Sequence, residues 1–154
     1  MTNKNNQISP EADYRALYAR MTSGNLIILD GGTGTELERR GAEMSGTAWC
    51  GTASESHAKL LGDIHADYIK AGADIITANT YASSRLMLSN AGLGDKVEAI
   101  NQIAIDAALG AKKRCKKSGI VVAGSLSHMI PITSGTDVER ASATPSKDTI
   151  EYAL

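Results

Sequence analysis

The sequence predicts an α/β chain built on a parallel sheet, and three observations predict it. Three short apolar runs, at residues 26–29, 73–78 and 120–123, stop at glycine or polar residues, the signature of strands buried on both faces. Between them lie longer stretches whose apolar residues recur at helical spacing. Each run passes into a polar tip rather than a hairpin turn, so helical crossovers must join the strands.

Ser9-Pro10-Glu11 is a helix start, a capping serine before proline at the first helical position, and Gly24 marks the turn after a helix over residues 10–21. Leu26, Ile27, Ile28 and Leu29 then form the first strand, which ends on Asp30 and the turn Gly31-Gly32-Thr33-Gly34. Thr35 and Glu38 have capping-box spacing, which predicts a short helix to Arg40 that stops at Gly41, followed by an irregular loop over residues 42–53. Leu60, Leu61, Ile64, Tyr68 and Ile69 predict an amphipathic helix over residues 57–71, with Gly72 as its C-terminal cap. Asp74-Ile75-Ile76-Thr77 is the second strand, and Asn79-Thr80-Tyr81 its tip. Val97, Ile100, Ala104, Ala107 and Ala111 stripe a long helix over residues 95–117, and Gly124-Ser125 tips the third strand. Residues 126–143 have no clear period, and Thr144-Pro145 opens a further helix that Leu154 cuts short.

Alternating strands and helices fit either a doubly wound sheet or part of an eight-fold barrel, and periodicity does not separate the two. A complete barrel needs roughly 250 residues, so 154 hold three to four β/α units. With 42% hydrophobic and 21% charged residues, the chain is neither disordered nor fibrous. A net charge of −1 gives no attraction for polyanions. The basic cluster Lys112, Lys113, Arg114, Lys116 and Lys117 ends a helix, where cations suit the dipole, and no aromatic residues interleave it, so nucleic acid is not an expected partner. The polar start lacks the apolar core of a signal peptide and no stretch approaches the roughly 20 apolar residues of a membrane span; a cytoplasmic location is the expectation. Cys50 and Cys115, far apart and in no CxxC arrangement, can build neither a disulfide framework nor a zinc site by themselves.

The glycine-rich turn invites a dinucleotide reading, but Leu37 stands where the third glycine should be, and no Gly-Lys-Ser/Thr follows. The turn does offer the Asp30 carboxylate beside glycine amides that a ligand can approach closely, a pairing suited to the ammonium and carboxylate of an amino acid. A tight turn capped by aspartate is the equally weighted structural alternative.

Further motifs bear on that choice. The run Leu29-Asp30-Gly31-Gly32-Thr33-Gly34-Thr35-Glu36-Leu37 with Arg39-Arg40-Gly41 resembles the opening strand of the homocysteine S-methyltransferase family. The likeness continues through Trp49, Ile64-His65 with Tyr68, Ala71-Gly72-Ala73-Asp74, Ile76-Thr77-Ala78-Asn79-Thr80-Tyr81-Ala82-Ser83 and Val122-Ala123-Gly124-Ser125. It covers about residues 26–125, with residues 1–25 as a leading helical segment, so residues 1–154 are read as the amino-terminal part of such a barrel.

The resemblance implies a (β/α)8 barrel that transfers a methyl group from S-methylmethionine, S-adenosylmethionine, betaine or a methylated folate to homocysteine, giving methionine. By the same resemblance, Asp30 and the backbone of Gly31, Gly32 and Thr33 hold the amino-acid end of homocysteine. Asn79, Thr80 and Tyr81 line the pocket, and Ser125 lies on its rim. All of these residues fall at C-terminal strand ends, the face on which barrel enzymes assemble their sites. The family's zinc, held by three cysteines of later strands, two of them in a Gly-Gly-Cys-Cys-Gly segment, finds no matching element in this sequence, and neither Cys50 nor Cys115 occupies a ligand position. No catalytic or metal-ligating residue is therefore assigned, and the chain alone is expected to be inactive. His65 is read as a packing or hydrogen-bonding residue, His57 as surface, and His128 as a loop residue where many relatives show Gly-Pro; Ala58 replaces a helix-opening proline. These departures leave the donor unassigned. The competing reading is a half-barrel that acts as a binding or assembly module by pairing with itself or with a complementary chain.

Overall fold

The computed structural model describes residues 10–126. Its elements are α1 (Pro10–Thr22), α2 (Thr33–Arg39), α3 (Ala53–Ser56), α4 (Ala58–Ala71), β1 (Ile75–Thr77), α5 (Arg85–Asn90), a 3-10 turn (Gly94–Lys96), α6 (Val97–Cys115) and β2 (Val121–Ala123). The sequence expectations at His128 and over residues 144–154 lie outside the described residues.

Strands β1 and β2 are parallel, with Ile75 opposite Val121, Ile76 opposite Val122 and Thr77 opposite Ala123. Leu29 adds a single parallel bridge to Ile75. The three segments thus lie side by side in chain order, all in one direction. That is the order of successive barrel staves, and no topological switch point falls among them.

The first segment departs from expectation. It is not buried on both faces: Leu26 is 87% exposed, Leu29 63% and Ile28 54%. Its hydrogen bonds all run to one side, from the Asp74 and Ile75 amides to the Ile28 carbonyl at 2.8 and 3.1 Å and from the Asp30 amide to the Ile75 carbonyl at 2.9 Å. Among the described residues nothing pairs with its outer edge, so the apolar run that marks an inner strand stands here at the sheet's margin.

The helices supply the burial that β1 and β2 receive. Helices α4 and α6 pack along each other, and Ile76 and Ile120 join Ala66, Ile69, Ala108 and Ala111 in one core cluster. The buried stripe of α6 is Ile100, Ala104, Ala108 and Ala111; Ala108, not Ala107, completes it. Small residues on this stripe let the helix backbone approach closely. A second cluster, containing Leu37, Cys50, Leu61, Ile64 and Ala104, seats α2 and the following loop on α4. Gly72 caps α4 at φ 118°, as a left-handed C-terminal position requires.

Helix α2 begins three residues earlier than the capping box at Thr35 and Glu38 predicts. Gly32 is its N-cap, with no side-chain cap, and Glu36 is drawn to Arg39 and Arg40 at 2.6 Å each. Helix α5 falls where no element is expected, its cap made by the Ser84 hydroxyl accepting from the Met87 amide at 3.3 Å. Helix α1 closes the opposite end of the sheet. Arg20 donates to Asp74 at 3.0 Å, and Asp74 also accepts from the Ile28 amide at 3.0 Å. Lys112 of the basic cluster pairs with the buried Asp13, and Arg114 donates to the Gly62 carbonyl at 2.8 Å.

Candidate functional site

The C-terminal ends of the three parallel segments carry Asp30, the 79–81 turn and Ser125. Asp30 ends the first segment at the point where its ladder stops. A ladder continuing past Leu29 would bring the Thr77 amide to the Asp30 carbonyl. Here the side chain takes that bond: the Thr77 amide donates to Asp30 Oδ2 at 2.7 Å, and the Thr77 hydroxyl donates to Oδ1 at 3.0 Å. Both carboxylate oxygens are thereby fixed by one residue of the neighbouring strand. Burial pushes the Asp30 carboxyl above its ordinary value, while the bonds from Thr77 pull it back.

Beyond Asp30 the chain turns tightly over Tyr68 of α4. A Cβ on Gly31 would stand 2.9 Å from the Tyr68 hydroxyl and 3.0 Å from its ring, so any larger residue there would have to displace the Tyr68 ring. Gly31 and Gly32 are exposed and Thr33 is half-buried. Farther on, Gly34 packs against Trp49 and Cys50, with a Cβ there 2.8 Å from the indole and 2.9 Å from the thiol. The Tyr68 hydroxyl is held above its ordinary value by burial, and the Glu36 and Asp30 charges act in the same direction.

At the second tip the polar residues point in different directions. Asn79 is buried and turned into the fold. Its Nδ2 donates to the Cys50 carbonyl at 2.8 Å and to the Ser54 hydroxyl at 3.0 Å, and its Oδ1 accepts from the Cys50 thiol at 3.2 Å. Thr80 reaches the third tip: its hydroxyl donates to the Ser125 carbonyl at 2.8 Å and accepts from the Ser125 amide at 2.9 Å. Tyr81 is 37% exposed. The structure therefore joins Thr80 to Ser125 directly, joins Asp30 to β1 through Thr77, leaves Tyr81 open to solvent, and commits the Asn79 amide to the 50–54 loop.

Two residues of this rim, Thr77 and Tyr68, had no site role in the sequence reading. The signal for Thr77 was available: Ile76 alternates inward to the helices, so Ile75 and Thr77 share the opposite, barrel-side face. Of the histidines, His57 shares a 2.8 Å hydrogen bond with Ser56 at the start of α4. His65 is fully buried, with neither ring nitrogen hydrogen-bonded among the described residues. A groove of about 530 Å³ lies along the α4 and α6 flank, lined by Asp63, Ala66, Asp67, Lys70, Arg114 and Cys115. No strand tip lines it, and Asp63 and Asp67 are paired with Lys59, Arg40 and Lys70 at 2.8 to 3.1 Å. It is an ion-paired helix flank, remote from the tips.

Comparison with known proteins is decisive for the family. A model described as Homocysteine S-methyltransferase matches residues 27–152. The chain belongs to the homocysteine S-methyltransferase family. It is 31% identical over 118 residues to the selenocysteine Se-methyltransferase of Brassica oleracea var. italica, covering 68% of this chain and 34% of that protein. It is 27% identical over 125 residues to betaine–homocysteine S-methyltransferase 1 of Xenopus laevis, covering 79% of this chain and 30% of the relative. The metallated form of the homocysteine methyltransferase MmuM from Escherichia coli superimposes with a TM-score of 0.62 at 26% identity, over 75% of this chain and 41% of that one. The chain thus spans about a third of the length of the curated relatives it matches.

The family's zinc does not fit the donors at hand. Among the described residues no group of three His, Cys, Asp or Glu side chains could hold a metal ion. Cys50 is buried and its thiol is pushed up to about 11 by burial, the reverse of what a thiolate ligand needs. Cys115 sits on the helix flank with its thiol toward the Ala66 carbonyl at 3.7 Å. No helix among the described residues is long and apolar enough to cross a membrane.

Proposed function

We propose that this chain supplies the homocysteine-binding strands of a methyl transfer that yields methionine. In that reaction the homocysteine sulfur loses its proton and bonds to the donor's methyl carbon as the donor's own bond to that carbon breaks. The donor is S-methylmethionine, S-adenosylmethionine, betaine or a methylated folate. Asp30 takes the substrate ammonium, and the backbone of Gly31, Gly32 and Thr33 takes its carboxylate. Thr80, Tyr81 and Ser125 form the adjoining rim. Asn79 shapes the pocket by bracing the 50–54 loop. We place the reaction in the cytoplasm, where both free cysteines stay reduced.

The single observation that carries this reading is the Asp30 carboxylate, held at a strand tip by Thr77 beside two exposed glycines, of which Gly31 packs closely on Tyr68. A fixed anion next to open backbone N–H groups matches the two charges of an amino acid. By this reading the 154-residue chain binds homocysteine without turning it over, since the zinc donors lie in barrel strands it does not contain. Calorimetric titration of the full chain with L-homocysteine tests it. Binding that weakens at least tenfold in Asp30→Asn and in the des-amino analogue 4-mercaptobutyrate is expected. Equal affinity for homocysteine and the analogue would remove Asp30 from the ammonium site.

A second reading, an assembly module without catalysis, is favoured by one observation, the exposed apolar margin formed by Leu26, Ile28 and Leu29. A strand edge of this kind pairs with a second copy or with a complementary chain. Sedimentation of the intact chain over a tenfold concentration range distinguishes them: a monomer throughout counts against the assembly reading.

A further inference from the structure

We infer that Thr77 is a positioning residue for the Asp30 carboxylate, holding it in the one orientation in which it can receive a substrate ammonium. The inference rests on the reading of Asp30 given above and extends it to a residue on a different strand.

The geometry is specific in three respects. Thr77 contacts both carboxylate oxygens, one through its amide at 2.7 Å and the other through its hydroxyl at 3.0 Å. A carboxylate held at two points cannot rotate about its Cβ–Cγ bond, so the orientation is set before any ligand arrives. An ionised carboxylate offers about four lone-pair directions, and Thr77 occupies two, which leaves acceptor capacity on each oxygen for an ammonium. The support is itself rigid, because Thr77 is the last residue of β1, paired with Ala123 of β2 and flanked by the buried Ile76. The segment that carries Asp30 is less well supported, an exposed edge whose backbone bonds run to one neighbour only.

The chemistry also requires a donor here. Asp30 is half-buried, and desolvation alone would push it toward the neutral acid, which cannot pair with an ammonium. The two Thr77 bonds favour the charged form, so one residue supplies both orientation and ionisation. The amide contribution is common to every residue type at this position except proline. The hydroxyl contribution is particular to threonine and serine, and it can be removed without disturbing the strand.

Thr77→Val keeps the shape and β-branching and deletes only the hydroxyl donor; Thr77→Ser restores it. Two measurements on the full chain decide the matter. Carbon-detected NMR titration of the Asp30 carboxyl needs no ligand: Asp30 is expected to titrate at higher pH in Thr77→Val and to return toward the parent value in Thr77→Ser. Calorimetry with L-homocysteine is expected to show about tenfold weaker binding in Thr77→Val, the effect of one hydrogen bond to a charged group, with recovery in Thr77→Ser. An Asp30 titration unchanged in Thr77→Val overturns the inference, as does unchanged homocysteine affinity. A titration that shifts as expected in a chain that binds no homocysteine overturns instead the assignment of the ligand, and leaves Thr77 as the group that orients Asp30.

Discussion

The tips of the first two parallel segments are chemically alike in sequence and opposite in use. Asp30 and Asn79 are both short polar residues that follow an apolar run. Asp30 stays half-buried with its carboxylate tied to one neighbour, in front of an open glycine turn. Asn79 is buried, and its amide is spent on Cys50 and Ser54. The difference follows from what lies over each tip. The 48–54 loop folds across the second tip, with Gly51 against the Ala82 carbonyl, whereas nothing among the described residues covers the first. A polar residue at a strand end is thus a reaching group only where the following chain leaves it uncovered; otherwise it becomes the peg on which that chain hangs.

Breaking the covered tip has the largest expected effect. A Cβ on Gly51 would stand 2.1 Å from the Ala82 carbonyl oxygen and 3.0 Å from that of Ala48, both backbone atoms that cannot swing aside. Gly51→Ala is expected to cost about 4 kcal/mol, since the loop must lift away. Asn79→Ala leaves the Ser54 hydroxyl and the Cys50 thiol without their partner in the core, takes from the Cys50 carbonyl one of its two donors, the Ala53 amide remaining, and is expected to cost about 3 kcal/mol. Urea unfolding measures both. If either variant is as stable as the parent, the loop is not held by this tip.

His65 sharpens the contrast, because it is a buried polar group that neither reaches nor braces. Burial holds its imidazole down to about 4, and among the described residues neither ring nitrogen has a hydrogen-bond partner. A group whose folded-state value lies below its unfolded value of about 6.5 contributes stability that is fully present above pH 6.5. That stability is lost as the pH falls from about 6.5 to 4, because the unfolded chain takes up the proton first. The loss is on the order of 3 kcal/mol. Asp30, displaced upward, acts in the opposite sense and loses stability as pH rises through its own window. Asp63, Asp67 and Asp74, all held below the ordinary carboxylate range, act at lower pH than His65. Thermal unfolding from pH 7.5 to 4 is therefore expected to show a fall that His65→Leu abolishes. A fall that persists in the variant would place the acid sensitivity elsewhere.

The open tip should tolerate change. Asp30→Ala removes a carboxylate whose partner Thr77 lies at a half-exposed strand end, and it is expected to cost no more than about 1 kcal/mol in urea unfolding while weakening homocysteine binding at least tenfold. A stability loss as large as that of Asn79→Ala would show that Asp30 is also a peg.

How much of this was legible depended on how far each element's pattern extended. Helices α4 and α6 were readable because several turns repeat the same apolar spacing, and Gly72 marks the end of the first of them. Helices α3 and α5 were not, since one or two turns give no period; only the Ser84 cap with Met87 and Leu88 behind it hinted at α5. Thr35 and Glu38 had the right spacing for a capping box, but the chain bends earlier, at Gly32, because α2 must start at the strand tip. The positions of Asp30, Thr80 and Ser125 at strand ends followed from the apolar runs. The loss of Asn79 to the loop did not, because its partners Cys50 and Ser54 lie 29 and 25 residues away. The alternation about Ile76 offered the face of Thr77, but its bond to Asp30, spanning 47 residues, was hidden for the same reason.

The burial of the first segment was misread because an apolar run reports what a strand is built to be covered by, and says nothing of which edge is covered within one chain. Ile28, 54% exposed, offers the mildest test of the comparison. Its backbone is fully engaged, the amide to Asp74 and the carbonyl to the Asp74 and Ile75 amides, so a side-chain change leaves the bridge intact. Ile28→Lys is expected to change stability by no more than about 0.5 kcal/mol, as at an exposed position. The same charge on a strand edge opposes pairing with another edge. Lower weight-average mass in sedimentation with unchanged homocysteine binding would therefore mark the margin as an association surface separate from the Asp30 tip. A large loss of stability would mean that Ile28 is covered in the free chain, and that both tips are closed.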